Sequence, residues 1–131
     1  MSNNLIYIAG PISNGDKATA RECWKNIERA MKIYGIMIRK GYSPILPHFS
    51  YFYWLHSEED RMSHDKWIKM DTNYIKAADF FFYMEPEIYG KARGARYELR
   101  LAKKLHKIIF RDINNIPSYP ISYKTCQVGE V

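Results

Sequence analysis

The sequence has little cysteine, and its two cysteines show no pairing pattern. Cys23 and Cys126 lie far apart among the 131 residues, with no CxxC motif and no histidine at the spacing of a zinc site. Two isolated thiols give neither a disulfide framework nor a metal centre, and they are typical of a reducing compartment. We interpret Cys23 as a small buried hydrophobe and Cys126 as part of a tail.

Long hydrophobic runs are also missing. No stretch approaches the roughly 20 apolar residues of a membrane-spanning helix. The first ten residues, MSNNLIYIAG, lack the basic segment and the apolar core of a secretory signal. These absences predict a cytoplasmic protein that does not attach to membranes.

What is present favours one globular domain with an anionic partner. Hydrophobic residues make up 47% of the chain and aromatic residues 15%, including eleven tyrosines. This composition supports a single packed core. The net charge of +6 favours anionic ligands but does not choose among nucleic acid, nucleotide and membrane surface.

The chain alternates between strand-like and helix-like patterns. Four apolar runs are typical of buried strands: Leu5–Ala9, Tyr42–Leu46, Ala78–Met84 and Lys107–Phe110. Helical spacing of apolar residues occurs between them, in Ala18–Lys40, in a stretch beginning near Ser63, and in Gly94–Leu105. The aromatic stretch from His48 to Asp60 is expected to be irregular.

This alternation predicts an α/β fold, a three-layer Rossmann-like or flavodoxin-like domain. Its parallel sheet should have four to five strands in the order 2-1-3-4. We expect residues 1–111 to form the domain and residues 112–131 to form a C-terminal tail or arm outside the core. Ligands of such sheets bind beyond the strand ends at the switch point, here flanked by Gly10–Lys17 and Glu85–Arg93.

Glu98 is the first candidate catalytic residue. It lies near the start of the helix Gly94–Leu105 among small and apolar residues. The helix dipole should lower its pKa there and give an ionised carboxylate that can act as a nucleophile. Alternatively, Glu98 only offsets the helix dipole.

Asp71 is the second candidate, because it follows Trp67 by one helical turn and precedes further apolar residues. Burial beside aromatic rings raises the pKa of a carboxyl group. A carboxylic acid paired with a nucleophilic carboxylate is what glycosidic bond cleavage uses. The alternative is that Asp71 bonds a backbone amide or a basic neighbour. Tyr7, within the first strand, is either a core residue or a hydroxyl that positions Glu98.

Weaker signals surround these residues. Gly10–Gly15 (GPISNG) is neither GxGxxG nor a P-loop, so alone it only suggests a phosphate or sugar contact. Lys91, Arg93 and Arg96 cluster at a helix start, where anions bind, or they form a solvated basic face. His48 either contacts substrate or is incidental. The basic residues do not suggest a stripe with interleaved aromatics, so we do not expect a nucleic-acid partner.

Taken together, four segments resemble the nucleoside 2-deoxyribosyltransferase superfamily. They are IYIAGP (Ile6 to Pro11), GYSPILPH (Gly41 to His48), DTNYIKAAD (Asp71 to Asp79) and GKARGARYELRLA (Gly90 to Ala102). They come in the family's order over most of the chain. The RGARYE portion is most similar to a small phage and bacterial branch related to nucleoside 5'-monophosphate N-glycosidases.

The resemblance implies that Glu98 is the covalent nucleophile, that Asp71 contacts the base and assists its departure, and that Tyr7 lies beside the glutamate. His48 resembles a histidine that lies near the substrate in the nucleotide-hydrolase branch. Asp79 matches an aspartate at the start of the third strand, which we interpret as structural. We therefore expect substrate contacts from Gly10, Pro11, Ile12, Ser13, Asn14, Gly15, His48, Trp67, Glu85, Arg93 and Gly94. The nucleotide-hydrolase branch has a Gly-Ser pair where Gly10-Pro11 stands here and a serine after the third strand. Ser13 and Arg93 would then have to bind a 5'-phosphate.

The expected function is cleavage or transfer of the N-glycosidic bond of nucleosides, deoxynucleosides or their 5'-monophosphates. Alternatives are an NAD-type dinucleotide glycohydrolase and a non-catalytic nucleotide-binding module. We expect neither a metal nor a cofactor. Because Tyr51–Leu55 (YFYWL) is too apolar for an exposed loop, we also expect a homo-oligomer, or a lid over the crevice.

Overall fold

The computed structural model describes residues 3–12, 19–56, 64–85 and 93–121, which form a parallel sheet between two layers of helices. Its strands are β1 (Leu5–Ala9), β2 (Ser43–Ile45), β3 (Phe80–Tyr83) and β4 (Ile108–Phe110). Its helices are α1 (Ala20–Arg39), α2 (Ser50–His56), α3 (His64–Ala77) and α4 (Arg93–Lys104), with short 3-10 helices at Pro47–Phe49 and Ile113–Asn115. The strand order β2-β1-β3-β4 confirms the predicted topology.

The side chains of β1 alternate between the two faces of the sheet. Ile6 and Ile8 join a core cluster with the inner face of α1. Tyr7 and Ala9 join a second cluster with residues of α3 and α4. All four residues of β3 are buried, as expected for a central strand covered on both faces. This alternation is what turns Tyr7 toward α4.

Helix α1 begins two residues after its predicted start and ends one residue before its predicted end. The Thr19 side chain accepts a hydrogen bond from the Glu22 backbone N–H at 3.1 Å and caps the helix. Gly41 follows the helix with φ +92°, and a Cβ there would lie 2.9 Å from the Tyr119 carbonyl oxygen. Both the backbone angle and this close approach require glycine. Cys23 is buried in this helix, as predicted.

The prediction that His48–Asp60 is irregular is wrong over the described residues, which form a 3-10 turn and α2. Packing of aromatic rings on neighbouring helices explains the difference. The ring centroids of Phe52 and Trp24 lie 6.1 Å apart, and those of Phe49 and Tyr34 lie 5.3 Å apart. Composition alone did not indicate this anchoring on α1.

The prediction that residues beyond Arg111 stay outside the core is wrong for the segment up to residue 121. Ile116 is buried in the α1-side cluster. The Tyr42 hydroxyl donates to the Pro117 carbonyl at 2.7 Å, and the Tyr119 N–H donates to the Lys40 carbonyl at 2.7 Å. The segment therefore packs beside the end of α1 and against the core on the α1 side of the sheet. Residues 122–131, including Cys126, lie outside the described part, and the domain boundary stays a prediction.

Asp79 has the structural place that we expected. Its Oδ2 accepts a hydrogen bond from the Asn3 backbone N–H at 2.6 Å, at the amino end of β3. None of the helices in the described ranges is long and apolar enough to cross a membrane.

Helix α4 has two contrasting faces. Ala95, Leu99 and Ala102 are buried against the sheet. The opposite side is exposed and carries Arg93, Tyr97, Arg100 and Lys104. The expectation that no basic stripe contains an aromatic residue is therefore wrong here, because the 3.6-residue period of the helix puts positions 93, 97, 100 and 104 on one side.

Candidate active site

The site is built around a hydrogen bond between β1 and α4. Tyr7 is fully buried and stacks on Phe81 of β3, with ring centroids 5.8 Å apart. Its hydroxyl donates to Oε2 of Glu98, across 91 positions of sequence. Because both strands that hold the ring are central in the sheet, the phenol is rigidly placed. The bond orients one carboxyl oxygen of Glu98.

The electrostatic surroundings of Glu98 differ from those that its sequence position suggested. Burial raises the pKa of Glu98 to about 8, while the Tyr7 hydrogen bond lowers it and nearby Asp71 raises it. Glu98 is the sixth residue of α4, so it lies beyond the first turn, where the helix dipole acts. The predicted lowering of its pKa is therefore wrong, because desolvation dominates. Burial likewise raises the pKa of the Tyr7 hydroxyl far above its usual range, and the nearby charge of Glu98 raises it further.

Asp71 on α3 completes a group of three titratable side chains. Burial raises its pKa to about 6, as its apolar neighbours predicted. Its charge acts on both Glu98 and Tyr7, which shows that the three groups share one environment. Since α3 and α4 pack on each other and on the same face of the sheet, the two carboxyl groups converge from neighbouring helices.

The loop after β1 begins with a close approach to β3. The Met84 N–H donates to the Ala9 carbonyl at 2.7 Å, which extends the pairing of the two strands. A Cβ on Gly10 would lie 2.5 Å from Met84 Cε and 2.9 Å from its Cβ. Gly10 is thus needed for packing where the loop leaves the sheet.

Two buried polar side chains contact the backbone carbonyls of this loop. His48 Nε2 lies 3.1 Å from the Pro11 carbonyl oxygen, and Asn26 Nδ2 donates to the Ile12 carbonyl at 2.9 Å. Each of these side chains is 1% exposed. Burial lowers the pKa of His48 to about 4, so the ring is neutral at pH 7 and its Nε2–H can donate to Pro11. Asn26 was not singled out from the sequence, although a polar residue next to the apolar stripe of α1 was its signal.

His48 therefore contacts the backbone of the loop. Ser13, Asn14 and Gly15, the other predicted contacts of this loop, lie outside the described residues. Trp67 is half-buried one turn before Asp71, with its ring centroid 6.4 Å from that of Tyr53.

Arg93 and Gly94 open α4, one turn before Glu98, and both are exposed. Apart from its chain neighbours and the backbone of its own helix, no atom of the described residues lies within 4 Å of a Cβ built on Gly94.

Glu85 is held apart from the three titratable groups by basic partners. Its carboxylate forms an ion pair with Arg111, and its carbonyl accepts from Arg29 Nη2 at 2.7 Å. These residues line a groove of about 440 Å³ between α1 and the segment after β4. The groove contains none of Tyr7, Asp71 and Glu98, so the structure does not bring the predicted Glu85 contact to them.

The arrangement can supply an acid and a nucleophile from the same pair. With pKa values of about 6 and about 8, Asp71 and Glu98 together hold about one proton at pH 7. One carboxyl group can then donate a proton while the other attacks as a carboxylate. Within the described ranges, no group of three or more His, Cys, Asp or Glu side chains is arranged to hold a metal ion.

The fold places the protein in a structural class. A 2-deoxyribosyltransferase from Bacillus psychrosaccharolyticus superposes with a TM-score of 0.58 and 20% identity, covering 92% of this chain and 79% of that one. A 2-deoxyribosyltransferase from Leishmania mexicana superposes with a TM-score of 0.54 and 17% identity, covering 82% of this chain and 63% of that one. The chain thus has the α/β fold of the nucleoside deoxyribosyltransferases.

The family follows from the sequence itself. A family profile described as domain of unknown function DUF7768 matches residues 4–112, and the chain belongs to this family. No curated protein matches the chain.

Proposed function

We propose that the protein cleaves or transfers the N-glycosidic bond of a nucleoside, a deoxynucleoside or a 5'-monophosphate of either. The observation that carries this proposal is the hydrogen bond from Tyr7 to Glu98, with Asp71 in the same buried environment. The fold shared with 2-deoxyribosyltransferases supports it. An exposed glutamate that only offsets a helix dipole would have neither the phenol partner nor the raised pKa.

In the proposed reaction, the free Oε of Glu98 attacks C1' of the sugar. The bond between C1' and the base nitrogen breaks, and its electrons leave with the base. Asp71 donates a proton or a hydrogen bond to the departing base. Water or a second base then attacks C1' and releases Glu98, so two inversions retain the configuration.

Which of the two carboxyl groups carries the single proton decides whether the site can react. Attack requires ionised Glu98, and base departure is assisted by protonated Asp71. The pair must therefore hold one proton, located on Asp71 in the reacting form. The pKa values of about 6 for Asp71 and about 8 for Glu98 place that proton mainly on Glu98 at pH 7, so it moves to Asp71 before attack. The Tyr7 hydroxyl lowers the cost of this transfer, because its hydrogen bond stabilises the carboxylate of Glu98.

We further propose a preference for nucleoside 5'-monophosphates, with Arg93 as the phosphate ligand. Arg93 is exposed at the first position of α4, where backbone N–H groups also favour anions. A charge-assisted hydrogen bond contributes about 1.5–3 kcal/mol, which corresponds to about tenfold or more in affinity. Arg93→Ala should erase the preference, and Arg21→Ala, an exposed arginine of α1, should not. Equal catalytic efficiency of the wild type on a nucleoside and its monophosphate would refute it.

The test of the proposed activity is a release assay. The protein is incubated with ribo- and deoxyribonucleosides, their 5'-monophosphates and NAD, with and without an acceptor base, and free base is measured by chromatography. We expect release by the wild type, none by Glu98→Gln, strongly reduced release by Tyr7→Phe, and unchanged release by Glu28→Gln, an exposed glutamate of α1. Binding without any base release would instead support a nucleotide-binding module. Release from NAD alone would support a dinucleotide glycohydrolase.

A further inference from the structure

Two helices that pack against each other, α3 and α4, carry much of the positive charge of the chain. Together they have eight Lys and Arg residues but three Asp and Glu residues, a net charge of +5. Helix α4 is the most positive of the described helices, with five Lys and Arg residues and one Glu, while α1 has five Lys and Arg residues and two Glu. Because α3 and α4 are in contact, their exposed sides adjoin in one surface.

The acids of these helices do little to neutralise that surface. Glu98 and Asp71 are half-buried and point toward the buried Tyr7 rather than outward. The third acid, Asp65, is exposed in the first turn of α3. The eight cations, by contrast, are all exposed: Lys66, Lys69, Lys76, Arg93, Arg96, Arg100, Lys103 and Lys104.

The outer side of α4 arranges its cations in a line. Arg93, Tyr97, Arg100 and Lys104 follow one another at spacings of four, three and four residues, with Tyr97 46% exposed. We call these four residues the α4 stripe. At 1.5 Å per residue the stripe is about 16 Å long, enough to lie beside more than one phosphate of a nucleic-acid strand. Arginine side chains bind phosphate through paired hydrogen bonds, and an exposed tyrosine ring offers a base a stacking surface.

We propose that the outer surface of α3 and α4 binds the sugar–phosphate backbone of single-stranded nucleic acid, with the α4 stripe as its centre. The complementary charge and the ring among the arginines identify the partner. A membrane surface fits less well, because a helix that lies on lipid inserts its apolar face. The apolar face of α4, with Ala95, Leu99 and Ala102, is already buried against the sheet.

This surface does not depend on the proposed catalytic activity. Glu98 points inward from the same helix that carries the α4 stripe outward. Loss of the carboxylate should therefore leave nucleic-acid binding intact, and reversal of charge at Arg100 and Lys104, neither of which belongs to the proposed catalytic site, should leave base release from a free nucleoside intact. The two proposals fail or succeed separately.

The test is fluorescence anisotropy with a labelled mixed-sequence single-stranded DNA of about 15 nucleotides, a length that spans an ordinary single-strand site. We expect the wild type to bind at low salt and to lose affinity steeply as salt rises. Arg100→Glu with Lys104→Glu should weaken binding at least about tenfold and flatten the salt dependence. Arg21→Glu with Lys25→Glu is the matched control: one arginine and one lysine four residues apart on α1, both exposed. It should change binding by less than about threefold.

Several outcomes would overturn the proposal: no binding by the wild type at low salt, equal weakening by the two double variants, or binding to vesicles of anionic lipid but not to DNA. Competition by a free nucleoside, which has no phosphate, would overturn it too, because the DNA would then occupy the Glu98 site. If the glutamate pair does not fold by circular dichroism, Arg100→Gln with Lys104→Gln and, separately, Tyr97→Ala replace it, and each should still weaken binding. Glu98→Gln should bind as the wild type does.

Discussion

At the scale of single residues, Glu98 combines burial with a hydrogen bond that favours its charge. The raised pKa of about 8 means that the folded protein holds a proton that an unfolded chain releases near pH 4.5. The stability from this proton is fully present below pH 4.5 and is lost as the pH rises through 8. Ionised Glu98 is therefore costly to the folded protein, as expected of a catalytic group held for its reactivity.

Glu98→Gln should consequently stabilise the protein most at high pH. The amide keeps the shape and accepts the Tyr7 hydrogen bond but carries no charge to desolvate. We expect the gain in Tm over the wild type to be larger at pH 9 than at pH 5.5, by about 5 °C or more. Differential scanning calorimetry measures this gain, with Glu28→Gln, at an exposed glutamate of α1, as the matched control. An equal gain at both pH values would show that Glu98 titrates normally.

The pH dependence of the reaction should report the carboxyl pair. With pKa values of about 6 for Asp71 and about 8 for Glu98, the singly protonated pair is most abundant between these limits. We expect a bell-shaped profile of kcat/KM with limbs near pH 6 and pH 8. Asp71→Asn should slow the reaction by about 100-fold or more and remove the alkaline limb, because no acid remains to be deprotonated. An unchanged bell in this variant would exclude Asp71 as the acid, and an unfolded variant would indicate a structural aspartate.

At the scale of elements, the loop after β1 depends on helices that contribute no reacting group. Asn26 from α1 and His48 from the 3-10 helix hold two successive carbonyls of that loop. Leaving a buried carbonyl without its donor costs about 1–3 kcal/mol. These two contacts therefore fix the backbone of the loop at Pro11 and Ile12.

Asn26→Leu should loosen this loop without altering the carboxyl pair. We expect faster hydrogen exchange in a peptide covering residues 10–19, and a higher KM with a smaller change in kcat. Asn73→Leu, at an exposed position of α3, is the matched control and should leave both unchanged. Wild-type exchange in the Asn26 variant would mean that Pro11 and Ile12 are held by other contacts.

The elements that the sequence predicts are those with strong local patterns. The run of apolar residues in β3 and the helical spacing in α1 and α4 indicate their positions within one or two residues. Two elements were missed because tertiary packing decides them. Helix α2 depends on rings of α1, and the segment that carries Ile116 depends on Tyr42 and Lys40.

The sequence predicted which side chains form the candidate group, and it predicted the pKa shift of Asp71 but not that of Glu98. A residue pattern and a family resemblance together singled out Glu98, Asp71 and Tyr7. The direction of the Glu98 pKa shift depends on how much solvent the folded chain excludes, which sequence position does not show. The partners of Glu85 and His48 also depend on the fold, because they lie 26 and 37 positions away.

At the scale of the whole molecule, exposed rings favour self-association. Phe49, Phe52, Tyr53 and Leu55 are each between 37% and 48% exposed, and they lie in or beside α2. Exposed apolar side chains that gather in one region often mark an interface. The oligomeric state follows as a prediction.

We expect light scattering to show a homodimer at micromolar concentration. Phe52→Arg with Leu55→Arg should give a folded monomer, because two charges enter the apolar surface. Tyr97→Arg, at an equally exposed position of α4, should leave the dimer intact. A monomeric wild type at that concentration would contradict the interface and leave α2 as a candidate lid.

The central claim is that Glu98 forms a covalent bond to the sugar. The most direct measurement is mass spectrometry of the protein quenched in acid during turnover of a nucleoside or 5'-monophosphate that releases base. We predict an added mass equal to the transferred glycosyl group, located by peptide mapping on Glu98 and absent from Glu98→Gln. Base release at the wild-type rate by Glu98→Gln, or a glycosyl group bound to another residue, would contradict the account.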